Sequence, residues 1–102
     1  MKYWEEADRL TEEAIRTGDD AELTKAFKIL TALSYFSRIA DDSRAIILHD
    51  LARLEAFRGN RAAADAYIET AKLVSRSTVE PRLSTHPLPE ARAGGVKHVE
   101  TA

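Results

Sequence analysis

Two glycines govern how this chain can be read. Gly18 and Gly59 stand 41 positions apart, and each closes a stretch of apolar residues spaced by threes and fours. Each is followed at once by a polar side chain, Asp19 or Asn60, of the kind that opens a new helix. Glycine supplies the left-handed backbone that ends a helix, so both points are helix boundaries. The pattern predicts an all-α chain of two antiparallel helical hairpins.

The first helix is predicted over Tyr3 to Thr17, with Tyr3, Ala7, Leu10 and Ala14 on one stripe and Trp4 and Ile15 beside it. Asp19, followed three residues later by Glu22, has the form of a capping box for the second. That second helix carries Leu23, Ala26, Phe27, Ile29, Leu30, Leu33, Phe36 and Ile39, apolar over more than half its circumference. It is expected to be the most buried element. Asp41, Asp42 and Ser43 offer capping oxygens for a third helix from about Arg44 to Arg58. A fourth, capped by Asn60, buries Ala64, Tyr67, Ile68, Ala71 and Val74 and is expected to end near Ser75 or Ser77.

From there the composition changes. Pro81, Pro87, Pro89, Gly94 and Gly95 interrupt a segment whose large apolar residues have no period. It balances Arg82, Arg92 and Lys97 against Glu80, Glu90 and Glu100. The division expected is a helical repeat domain over residues 1 to 77 and a disordered tail over 78 to 102. Thr85-His86-Pro87-Leu88-Pro89 within the tail has the proline spacing of an extended peptide ligand, although a solvated terminus explains it more simply.

Composition narrows the functional classes. The chain has no cysteine, so its core rests on packing without disulfides or thiolate metal sites. Its formal charge is -2, with 15 basic and 17 acidic residues interspersed, which argues against nucleic acid as a partner. Neither a signal-peptide pattern in Met1-Lys2-Tyr3-Trp4-Glu5-Glu6 nor a membrane-length apolar run is visible, and a cytoplasmic location with no membrane partner is expected.

The 41-residue repeat carries a family resemblance. Leu48, Leu51-Ala52, Gly59-Asn60, Ala64, Ile68 and Ala71 occupy the offsets at which a tetratricopeptide repeat places its signature small and large apolar residues. The first copy carries Ala7, Leu10-Thr11, Gly18-Asp19, Leu23, Phe27 and Leu30 at the same offsets, with Leu23 where a small residue is usual. The chain thus resembles a degenerate two-copy member of that family. Its period exceeds the family's roughly 34 residues, and Thr31 to Ser37 reads as two extra turns of the second helix. A four-helix bundle with short loops fits the same pattern.

The third helix holds the best binding candidates. Ile46, His49, Asp50, Arg53 and Phe57 share one side at helical spacing, two large apolar residues among polar ones. The resemblance implies that this side faces a concave groove that takes a peptide or protein, with Glu5, Asp8, Glu12 and Arg16 of the first helix as the matching wall. The competing reading is that Ile46 and Phe57 complete the core.

No catalytic set emerges. His49, His86 and His98 lack partners at metal-binding spacing, and no phosphate loop or nucleophile elbow is present, so neither enzyme nor cofactor nor metal is expected. The functional expectation is a noncatalytic protein-interaction module, a small adaptor or regulator. The alternative is a helix-turn-helix DNA-binding regulator, drawn from Arg58-Gly59-Asn60-Arg61 between two helices. With only two repeats, fewer than the three or so that stacking needs, a homodimer is expected to cover exposed apolar ends.

Overall fold

The computed structural model describes residues 2 to 92. The described residues form four helices: α1 over Tyr3–Thr17, α2 over Asp20–Ser34, α3 over Asp41–Arg58 and α4 over Arg61–Thr85. They pair as two antiparallel hairpins, α1 with α2 and α3 with α4, and the fold is all-α as the glycine pattern predicts. Gly18 (φ 66°) and Gly59 (φ 94°) close α1 and α3 in the left-handed conformation. Asp19 caps α2 by accepting from the Ala21 amide, and Asn60 caps α4 by accepting from the Ala63 amide.

The burial of the second and third helices departs from the sequence reading. Ten consecutive residues of α3, Ala45 to Leu54, are buried, because α3 lies between α1 and α2 on one side and α4 on the other. On α2 only Leu23, Ala26 and Leu30 are buried, while Phe27, Ile29 and Leu33 pack at the margin of the core. Helical periodicity ranks α2 higher because α3 carries His49, Asp50 and Arg53, which dilute its apolar content without exposing it.

The second helix is also shorter than its apolar run. It stops at Ser34, where the Ser34 hydroxyl donates to the Thr31 carbonyl. Arg44 of α3 donates to the freed carbonyls of Ser34 and Phe36. Phe36 and Ile39 therefore belong to a loop, and Ile39 turns inward to the core. In α3 the Asp41 and Asp42 carboxylates sit in the first helical turn, where they face the positive end of the helix dipole.

The largest difference lies beyond Ser75. Residues 78 to 85, placed in the tail by the sequence reading, are helical, and α4 continues to Thr85 past a break at Ser75 (φ −161°, ψ 89°). Ser75 and Thr78 share a hydroxyl hydrogen bond of 2.8 Å that starts the second half as though it were a new helix. Val79 is fully buried, and Leu83 and Leu88 pack against Ala52, Ala56, Ala64 and Ile68. Arg92 completes the wrap: its amide donates to the Phe57 carbonyl and its guanidinium to the Gly18 carbonyl at 2.8 Å each. Residues 76 to 92 form an arm laid over the hairpins. Gly94, Gly95, Lys97, His98 and Glu100 of the expected tail lie outside the described residues.

Candidate functional site

Where α1, α3 and the arm meet, the interior is ionic. Helical spacing puts His49, Asp50 and Arg53 in one sector of α3 and Asp8, Thr11 and Glu12 on one face of α1. The arm brings Arg82 between them. Arg82 Nη2 lies 3.0 Å from Asp8 Oδ1 and 3.2 Å from Asp50 Oδ1, while Nη1 reaches Asp8 Oδ2 at 3.4 Å. Its Nε donates to His49 Nδ1 at 3.0 Å. Arg53 donates to Asp50 at 2.9 Å and, on its other side, to Glu12. Asp50 and His49 are wholly buried.

Burial decides the protonation of this cluster. Removal from water pushes the Asp50 carboxyl well above the usual carboxylate range, and a hydrogen bond shared with Asp8 and the charge of Asp8 push it further, against the pull of Arg53 and Arg82. For Asp8 burial acts in the same upward direction. Hydrogen bonds from Asp50 and Arg82, with the charges of Arg82 and Arg53, outweigh it and hold Asp8 below its ordinary value. The two carboxyls are thus pushed apart, Asp50 toward its protonated form and Asp8 toward the charged form that faces Arg82.

His49 is depressed to about 3 by burial first and then by the positive charges of Arg82 and Arg53. It is neutral, and because Nδ1 accepts from Arg82 its proton sits on Nε2. Thr11 Oγ1, His49 Nε2, Asp50 Oδ2 and Arg53 Nε are buried without a hydrogen-bond acceptor or donor from the protein. A core that carries such groups sacrifices stability relative to an apolar one of the same shape.

The residues read as a groove from sequence are partly united here. His49, Arg53, Asp8 and Glu12 meet in the cluster. Ile46 is buried and Phe57 is half-buried against the core, so these two serve packing. Glu5 and Arg16 stay on the exposed surface, the latter paired with Glu13. The correction is one of access: the α3 side is not an open wall, because the arm covers it. Arg82, the residue at the centre, falls in the stretch the sequence predicts as tail, because Pro81 immediately before it has the look of a helix break. The one available signal was the spacing Val79, Arg82, Leu83, His86, a helical stripe of three and four.

The turn Arg58-Gly59-Asn60-Arg61 joins α3 to α4, with Arg58 over the Phe27 ring at 4.8 Å and Arg61 paired with Asp65 at 3.2 Å. Among the described residues no group of three or more histidine, aspartate or glutamate side chains is placed to hold a metal ion. No helix among them is long and apolar enough to cross a membrane. No protein-family model, curated protein or solved structure matches this chain.

Proposed function

We propose that this chain is a noncatalytic protein-interaction module, a small adaptor or regulator, whose α1 and α3 faces grip a helical segment carrying an arginine. The observation that carries this reading is the clamp itself: Asp8 and Asp50, from two different helices, converge on one guanidinium while His49 accepts its third donor. A planar fork read by a carboxylate and a neutral imidazole is selective for arginine over lysine, whose ammonium has no matching geometry.

The tetratricopeptide resemblance supports the same reading. Glu12 and Arg53, which bond across α1 and α3, are 41 residues apart, the spacing of the two glycines. That shared spacing supports reading α1 and α3 as the first helices of two copies, side by side as in a stack of repeats.

Peptide binding in trans tests the proposal. A labelled peptide of residues 76 to 92 is titrated into full-length protein carrying Arg82→Gln, whose own arm is weakened. Saturable binding is expected, weaker by about tenfold or more when the peptide also carries Arg82→Gln. A folded protein that binds neither peptide refutes the reading.

A further inference from the structure

We propose that the arm, residues 76 to 92, exchanges between two copies of this chain about Ser75, so that Arg82 of one copy enters the acidic clamp of the other. This rests on the clamp reading above and adds the identity of the occupant: a second copy.

Three features point to it. Ser75 has the only non-helical backbone within Arg61–Thr85, so one residue separates the folded-back arm from a continuous helix of 25 residues, about 37 Å long at roughly 1.5 Å per residue. Extended in that way, the arm leaves its own α1 and α3 and reaches past them. The anchors beyond the hinge lie between the arm and the four helices before it: Val79 in the core, Leu83 and Leu88 on the Ala52–Ala64 seam, Arg82 on Asp8, Asp50 and His49, and Arg92 on Gly18, Asp20 and Phe57. A second copy offers the same anchors, so exchange conserves these contacts and gives up only the Ser75–Thr78 bond of the bent hinge, the condition under which swapping is cheap.

The arm also needs a surface. Extended into solvent it would expose Val79, Leu83 and Leu88, which the core now covers, and Pro81 removes one of its backbone donors. A released arm therefore re-docks rather than standing free. Leu73, two positions before the hinge, is 86% exposed, more than the other large apolar side chains left on the surface. In an exchanged pair the two α4 helices pass each other at the hinges, which places Leu73 where the new contact between copies forms.

Sedimentation of the full chain from micromolar to millimolar concentration tests the exchange. Ser75→Ala removes the capping hydroxyl and favours helix at the hinge, and it should tighten dimerisation by about tenfold or more relative to wild type, whereas Ser75→Gly should weaken it. A charge-reversal mixture locates the contact. A chain with Asp8→Arg and a chain with Arg82→Glu, each defective alone, should form a heterodimer on mixing, because one wild-type clamp and one reversed clamp are then both filled. A folded, strictly monomeric Ser75→Ala chain overturns the proposal. So does a dimer for which the mixture gives no heterodimer. Peptide binding in trans together with a monomeric Ser75→Ala chain would leave the clamp standing and remove the exchange alone.

Discussion

Arg82 lies across both oxygens of Asp8, at 3.0 and 3.4 Å, although 74 residues separate them in the chain. The pair joins the first helix to the last, and no backbone contact between α1 and α4 duplicates it among the described helices. Removing the guanidinium leaves Asp8 partly buried beside Asp50 without its principal counterion. Arg82→Leu should cost about 3 kcal/mol, and thermal unfolding by circular dichroism should move down by about 10 °C or more. A midpoint within a degree or two of wild type would show that the clamp contributes nothing to the folded state.

Truncation after Ser75 should be destabilising. The arm delivers Val79 to the core at 0% exposure and lays Leu83 and Leu88 over Ala52 and Ala64. Val79→Ala alone should cost about 1–2 kcal/mol through the cavity it leaves. Denaturant titration reads both, and a truncated chain as stable as the full one would mean that these contacts are dispensable.

The burial of α3 orders a second set of substitutions. Leu51→Ala and Leu54→Ala, at 1% and 0% exposure, should each cost about 2–5 kcal/mol. Phe27→Ala should cost about 1–2 kcal/mol, since the ring is only half-buried and lies under Arg58. Reversal of this order in chemical denaturation would restore α2 as the centre of the core.

Acid should weaken the fold through His49. Its folded value of about 3 lies below the ordinary 6.5, so the unfolded chain binds the extra proton between these values and stability falls as pH drops through that window. His86, lowered by burial and by Arg82 and Arg53, acts in the same direction. Asp50, raised by burial, acts oppositely: the stability tied to its bound proton is present at low pH and lost as pH rises through its folded value. The His49 contribution approaches about 1.4 kcal/mol per pH unit at most. His49→Asn should flatten the decline between pH 6.5 and 4 in urea unfolding. An unchanged slope would mean that the imidazole is not held neutral by this cluster.

The sequence by itself determined the all-α class, the ends of α1 and α3, and the caps Asp19 and Asn60, because these depend on local backbone chemistry. A left-handed glycine and a side chain bonding an amide two or three residues away need no other part of the chain. Helical spacing put His49 and Arg53 on one side of α3, and the family resemblance set Asp8 and Glu12 opposite them as candidates. Tertiary structure alone decided that α3 rather than α2 is the buried helix. Burial depends on how many neighbours surround an element, and α3 has three. The same holds for Arg82: Pro81 and the neutral, sparsely apolar composition around it read as a loose tail. Val79, Arg82 and Leu83 become ordered only because the hairpins present a partly buried Asp8 beside a buried Asp50, and an apolar seam, for them to meet.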